Sequence, residues 1–439
     1  MKETLKNIKS VYKYGVKYKK NLIIFTIISI LFIGLNIVIP IISAKQIVAL
    51  TDNSFHTLII ASLLILFIEI VSAISHLILN RNTQKFFRGT TKDIQLDASK
   101  EILKIELQDI DNNSSGTFIQ RINNDCDEMS RIFTRGMGFL TSILTNIGMF
   151  VAVFIVNKMV FLFYVVADIV LYFLHSKKAN KVNDNDKKFR KQRERTSGMI
   201  GELVRGVRDI KMLNAKDSFV EEIENNIDAL TQSQFKMRNT ESNFRATIEI
   251  VTSLLNLLLI LLLILLIDKS EITIATALVL YNYKGRIFNS FIESIGNLLT
   301  EVKSFNLSCD RVFSLFEGKE FKKEKFGKKH LDKVEGNFEF KNVTFAYKNK
   351  KVLDNLNFKI KANTTVGFVG RSGSGKTTIF NLLIKMYNIK HGEILIDGIN
   401  IKDLDKDSIR GNITVISQNP YIFNLSIREN LKICKPDLT

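Results

Sequence analysis

Long apolar stretches fill most of this chain, and short alternating ones fill its end. Residues 21–44 carry no charge, and that length matches the roughly 20 apolar residues that cross a bilayer core. A cleaved signal peptide fits less well, because Pro40 and Lys45 make a poor cleavage region and further spans follow. Residues 57–80, 136–157, 159–175 and 250–267 predict four more spans, the first of these being interrupted by Glu69 and His76. A sixth begins at Ile272, stays apolar to about Tyr283 and turns amphipathic through Lys284 and Arg286. Residues 157–158 leave room only for a tight external turn. Ile94, Ala98, Ile102 and Ile105 recur at helical spacing, as do Val220, Ile223, Ile227 and Leu230. The membrane helices are therefore expected to run beyond the bilayer, pack through these faces and turn back at tips near 111–115 and 206–211.

After Phe316 the period changes. Residues 318–330, rich in Lys and Glu, predict a solvated linker. Phe338 and Phe340 alternate with polar residues, as do Leu356, Phe358 and Ile360, predicting strands. Residues 366–369 read as a short buried strand, 413–416 as a strand, and Ile379, Leu382, Leu383 and Met386 as a helix. Asp397-Gly398 reads as a hairpin turn between Ile394/Ile396 and Ile399/Ile401. The expected domains are a membrane domain over 1–317, a linker over 318–333 and a nucleotide-binding part over 334–439.

Charge adds an orientation. The 439 residues hold 62 Lys and Arg against 44 Asp and Glu, a balance of +18. Residues 1–20 hold seven Lys, 81–135 nine Lys or Arg, and 176–245 sixteen, while 45–56, 157–158 and 268–271 hold one Lys each. Basic flanks mark the cytoplasmic side, so both termini and the last domain are expected in the cytoplasm of a multi-pass cell-membrane protein. The same charges draw anionic lipid. They flank the spans instead of forming one stripe, which argues against nucleic acid as a partner. Apolar residues reach 46 %, too many for a disordered chain. Cys126, Cys309 and Cys434 show neither metal nor bridge spacing and read as free buried thiols of a reducing compartment. Glu69 and Asp168 lie near the middle of their spans, where an ionisable group flags a cation contact in a cavity or a partner such as His76 or Asn256. Tyr281, Asn282 and Tyr283 are candidates to line that cavity.

The sharpest chemistry follows the 366–369 run. Gly370, Arg371, Ser372, Gly373, Ser374, Gly375, Lys376 and Thr377 match G-x-x-x-x-G-K-[ST], with a strand expected before and a helix after. Successive backbone N–H groups can curl around phosphate oxygens only where glycine permits the close approach and unusual dihedrals. The following helix points its positive end at the same anion. Lys376 adds a full charge beside the terminal phosphates, and the Thr377 hydroxyl suits Mg²⁺, a hard cation that takes oxygen ligands. ATP and Mg²⁺ are the implied cofactors.

Tyr347 in the run 343–347, Ser417-Gln418 after the 413–416 strand, and then Pro420, Phe423, Ser426, Ile427, Glu429 and Asn430 complete the pattern. With six spans, it resembles an ATP-binding cassette (ABC) transporter of the exporter type, a half-transporter with membrane and nucleotide-binding parts in one chain. Gly116, Arg121 and Asp125 look like that family's first cytoplasmic loop, and Glu202, Gly206 and Lys211 like its second. The resemblance implies an α-helical membrane domain of six transmembrane helices with long cytoplasmic extensions, followed by a partial α/β P-loop NTPase domain. It implies that Tyr347 stacks on adenine, that Thr378 lies with the phosphate-binding residues, and that Gln418 reaches Mg²⁺ and the attacking water. It also implies a second half-transporter chain, identical or different, and loop tips that press on the cassettes. The family's signature sequence, Walker B strand and switch histidine are not found before Thr439. A C-terminally truncated cassette that binds ATP weakly and hydrolyses little by itself is therefore expected. For the intact parent the expectation is ATP-driven export of an unidentified substrate; the rival is a membrane-anchored ATP sensor or partner subunit that moves nothing.

Overall fold

The computed structural model describes residues 2–52, 54–348, 350–418 and 420–434, apart from the side chains of residues 286, 289–300 and 434. Two compact units emerge, one of Met1–Leu96 with Asn123–Arg311 and one of Asp97–Ile122 with Val312–Thr439. The helices up to the sheet are α1 (Lys2–Gly15), α2 (Lys19–Thr51), α3 (Phe55–Ile102), α4 (Leu107–Asn112), α5 (Ser115–Gln120), α6 (Cys126–Val156), α7 (Lys158–Met212), α8 (Lys216–Asp268) and α9 (Ile274–Glu317).

Long helices are what a lipid-facing sequence must form, because hydrocarbon offers no partner to an open backbone N–H or C=O. Five stretches among the described residues are long and apolar enough to cross a membrane: Lys2–Thr51, Phe55–Ile102, Ser115–Val156, Lys158–Met212 and Lys216–Asp268. The sixth expected span falls in α9, whose residues 289–300 have no described side chains. Asn157 stands extended between α6 and α7 and accepts from the N–H groups of Met159 and Val160. A one-residue turn with a built-in cap thus joins these two helices.

Within the first unit, α6 to α9 share a core of Val153, Val160, Ala167, Leu171, Leu259 and Leu280, all fully buried. Two tyrosines deep in it keep their hydroxyls satisfied. Tyr164 donates to the Leu280 carbonyl at 2.7 Å and Tyr283 to that of Ile37 at 3.0 Å. Beyond the spans, α7 and α8 pair through polar groups: Thr196 Oγ1 and Gln192 Nε2 both donate to the Asn226 carbonyl, and Asn185 donates to Thr240. Of the apolar face expected to make this contact, Ile223 and Leu230 are half-buried while Val220 and Ile227 are exposed. The second tip also shifts: residues 206–211 still belong to α7, and the chain turns at 213–215, where Asn214 takes a left-handed conformation. Cys126 and Cys309 are buried and unbridged.

The second unit is built on β1 (Phe338–Tyr347), β2 (Lys350–Ile360), β3 (His391–Ile396) and β4 (Ile399–Asn400), with α10 (Lys376–Leu383), α11 (Lys406–Arg410) and α12 (Ile427–Cys434). The sheet is antiparallel in the order β2-β1-β3-β4. Phe340, Val343, Phe345, Ile394 and Ile396 alternate onto one face and bury against Ile379, Leu382 and Ile409. Asp397 and Gly398 turn β3 into β4 with φ of 49° and 79°, the doubly left-handed turn that suits hairpin twist. The Asp397 carboxylate also accepts the N–H groups of Glu335, Gly336 and Asn337. Burial pushes its pKa up, but these donors outweigh it and hold the carboxyl below its usual range.

Residues 318–330 are largely exposed, and their backbone is paired into an ordered strap. Glu106 N–H donates to the Lys322 carbonyl and Glu324 N–H to that of Lys104, both at 2.8 Å; Gly327 and Lys329 then donate to the Leu404 and Asp403 carbonyls. Neither 366–369 nor 413–416 forms a strand. A strand exists only through a neighbour that takes its N–H and C=O groups, and among the described residues no strand pairs with either run. Val369 and Ile416 are accordingly exposed.

Candidate functional site

The glycine-rich loop owes its shape to two left-handed residues, Gly373 at φ 81° and Gly375 at φ 90°. A side chain at Gly375 would also run into Leu353 Cδ2 at 2.8 Å and Val352 Cγ1 at 3.1 Å. Glycine is required there twice over, by dihedral and by space. The α10 helix starts at once, and its first internal bond is Ile379 N–H to the Gly375 carbonyl at 3.1 Å. The N–H groups of Lys376, Thr377 and Thr378 therefore have no acceptor within the helix and stand at its positive end.

Lys376 arches back over the loop. Its ammonium donates to the carbonyls of Gly370 and Arg371 at 2.9 Å each and approaches Ser374 Oγ at 3.5 Å. Arg371, Ser372, Gly373 and Ser374 are exposed around it. Thr377 is exposed, whereas Thr378 is buried on the side of α10 that carries Ile379 and Leu382. Tyr347 closes β1 and meets the rings of Phe345 and Tyr387 edge-on at 4.8 and 5.1 Å. Gln418 is exposed beyond the 413–416 run, and among the described residues no hydrogen bond joins it to the loop. A groove of about 350 Å³ lies behind the loop, lined by Val366, Phe368, Phe380, Ile413, Val415 and Ile416 among others.

Behind α10 sit contacts that periodicity did not reveal. Arg410 donates to the Ile384 and Lys385 carbonyls at the end of that helix, and grips Glu324 of the strap with two bonds of 3.0 and 2.7 Å. Tyr387 donates to Asp111 of α4, and Asn388 to Glu106. Burial, then the Asp111 carboxylate, raise the Tyr387 hydroxyl above its usual range. Farther along the strap Arg121 forms a two-bond fork with Glu320 at 2.9 and 2.6 Å, donates to Ser314, and stacks over Phe321. That hydrogen bond holds the Glu320 carboxyl below its ordinary value. The tip 111–115 was legible; its partner Tyr387, and the nearby Asn388 and Arg410, are scattered residues with no local signature.

Such an assembly, a helix-backed phosphate loop in a chain of long membrane-crossing helices, defines a membrane-anchored P-loop protein. The sequence profile described as ABC transporter transmembrane region matches residues 22–291, and that described as ABC transporter matches 353–437. The chain belongs to the ABC transporters, in the exporter-type arrangement that fuses both regions in one half-transporter. It is 26 % identical over 435 residues to an uncharacterized ABC transporter ATP-binding protein of Bacillus subtilis, covering 97 % of this chain and 71 % of that protein. It is 25 % identical to an ATP-dependent lipid A-core flippase of Wigglesworthia glossinidia brevipalpis, over 78 % of this chain and 59 % of that one. To the flippase of the same name in Salmonella typhimurium it is also 25 % identical, over 74 % and 56 %. The chain thus spans 56 % of the Salmonella protein and 71 % of the Bacillus one. It is a membrane protein with a nucleotide-binding domain.

Proposed function

We propose that this chain binds ATP at residues 370–377 and serves in ATP-driven export across the cell membrane, paired with a second half-transporter chain. The observation that carries the reading is the left-handed loop closed onto the start of α10, with Lys376 poised over it. The Lys376 ammonium exchanges its two carbonyl acceptors for phosphate oxygens, a stronger charge-assisted bond. The backbone N–H groups of residues 373–377 hold the same oxygens, aided by the positive helix end. Tyr347 offers a ring face to the base. The donor set suits Mg²⁺: the exposed Thr377 hydroxyl and the Gln418 amide oxygen are hard oxygens of the kind it takes. Bound there, the ion would neutralise phosphate charge, and Gln418 would orient the attacking water. Thr378, being buried, supports the loop through its backbone N–H.

The basic flanks support a cytoplasmic location for both termini and the cassette, where ATP is. Work on a substrate then requires that the nucleotide-bound and nucleotide-free states bind it differently. A fluorescent ATP analogue titrated into the purified chain tests the site. Lys376→Ala should weaken binding by about tenfold or more; equal affinity in the two proteins would sink it. ATP-dependent substrate accumulation in reconstituted vesicles tests export itself, and nucleotide binding without accumulation would leave a sensor.

A further inference from the structure

Lys284 lies inside the expected sixth span. It lies twelve residues into the span that opens at Ile272, about 18 Å along the helix, and the apolar core is about 30 Å thick. Its partner Asn256 on α8 lies at the same depth, counted back from Ile267, so the two helices agree on the level. Lys284 Nζ donates to Asn256 Oδ1 at 2.9 Å and sits 3.5 Å from the centre of the Tyr281 ring. Among the described residues no carboxylate pairs with it. Asp168 and Glu69, the acidic groups of the spans, are placed otherwise: one Asp168 oxygen is buried without a hydrogen bond, and Glu69 is exposed on α3. An uncompensated cation costs about 2.5–3.5 kcal/mol or more at this depth, and it is too far from either interface to snorkel out.

The surface around it differs from its neighbour's. Along α8 the open side is hydrocarbon: Leu254, Leu257, Leu258, Leu261, Ile264 and Leu265 are all exposed. Along α9, from Ile272 to Phe288, only Ile274 is an exposed large apolar side chain among the described residues. Its exposed residues there also include Thr273, Asn282 and Gly285, with Tyr281 and Lys284 half-buried beside Asn282 and Gly285, and Leu278 and Val279 half-buried one turn earlier. Hydrocarbon lipid tails suit the first surface and not the second. The second is a polar wall, fixed in place by the Asn256 amide and a tyrosine face, with one net positive charge.

We infer that the wall formed by Tyr281, Asn282, Lys284 and Gly285 binds the anionic group of an amphiphilic substrate, a carboxylate or phosphate attached to an apolar body. This names a substrate class for the export proposed above and rests on that reading. The charge selects an anion. The depth selects an amphiphile, because a small hydrated anion would lose its water there with nothing apolar to offset the loss.

Photo-crosslinking in phosphatidylcholine nanodiscs, without nucleotide, tests it on the chain as it stands. The probes are a diazirine-bearing long-chain fatty acid and its methyl ester, and the readout is labelling of peptides from α8 and α9. The acid should label these peptides roughly tenfold more efficiently than the ester, the scale of one charge-assisted bond. Lys284→Gln should remove that preference and Lys284→Arg retain it. Excess oleate should compete and inorganic phosphate should not. Equal labelling by acid and ester in the unmodified chain, an unchanged preference in Lys284→Gln, or competition by phosphate would each overturn the assignment. Export is measured separately with ATP, so a protein that selects the acid but fails to transport refutes export alone.

Discussion

At the scale of single residues, the phosphate loop depends on glycines that no other residue replaces. Gly375→Ala would add a methyl group within 3.1 Å of two side chains at a φ of 90°, a strain of about 1–3 kcal/mol. The expected outcome is about tenfold weaker binding of an ATP analogue, with tryptic resistance of the membrane helices unchanged. His330 supplies a pH signature of another kind. Its Nδ1 lies 2.8 Å from Asp405 Oδ2. Asp405, held at about 2 by the Ser408 hydroxyl and then by His330, raises the histidine above its ordinary value in return. The raised histidine stabilises the fold fully below about 6.5 and loses that effect as pH climbs past its folded value. The depressed aspartate contributes above about 4 and loses its effect as pH falls toward 2. Pulse proteolysis of the sheet unit should therefore show its largest advantage over Asp405→Asn between about pH 4 and 6.5, narrowing above neutrality. The loop's residue types were legible because a phosphate constrains backbone and side chain together. The His330–Asp405 pair was not, because 75 residues separate it and neither partner stands out by type.

At the scale of elements, the strap over 318–330 decides how the sheet unit holds together. Composition reads it as solvated because six lysines lie between 319 and 329. Its backbone nevertheless pairs with residues 104–106, and its acids meet Arg121, Lys322 to Lys323 meet Asp109 and Glu101, and Glu324 meets Arg410. Those lysines make it a trypsin substrate once it loosens. Glu320→Gln leaves the buried Arg121 without its carboxylate, which costs about 2 kcal/mol after allowing for the exposure of Glu320. Cleavage in the strap should accelerate roughly tenfold while Arg121→Lys, which loses the fork, falls between. An unchanged tryptic pattern would assign the strap's order to the backbone pairing alone. The strands split the same way. Phe338 to Tyr347 and Lys350 to Ile360 form because each supplies the other's ladder. Residues 366–369 and 413–416 have the composition of strands but no adjacent ladder, and an apolar run cannot form one alone.

At the scale of the whole molecule, fold class followed from hydropathy because a bilayer admits few solutions. Five spans emerge directly. The sixth, expected from Ile272, has its apolar character diluted by Tyr281, Asn282 and Lys284. Position of the second turn escaped for a simpler reason: nothing between Gly206 and Leu213 breaks a helix before Asn214 does. If the export reading holds, contacts between α4 and the cassette transmit the nucleotide's effect. Tyr387→Phe removes the bond to Asp111 and leaves the loop untouched. It should keep ATP-analogue affinity and slow vesicle transport by about 2- to 30-fold, the span of ordinary coupling energies. Arg410 sets the mechanical character of that unit. One guanidinium holds both the tail of α10 and the strap that enters from α9. The rod behind the phosphates is thereby pinned at its rear, like an oar in a rowlock, to the chain that enters from α9.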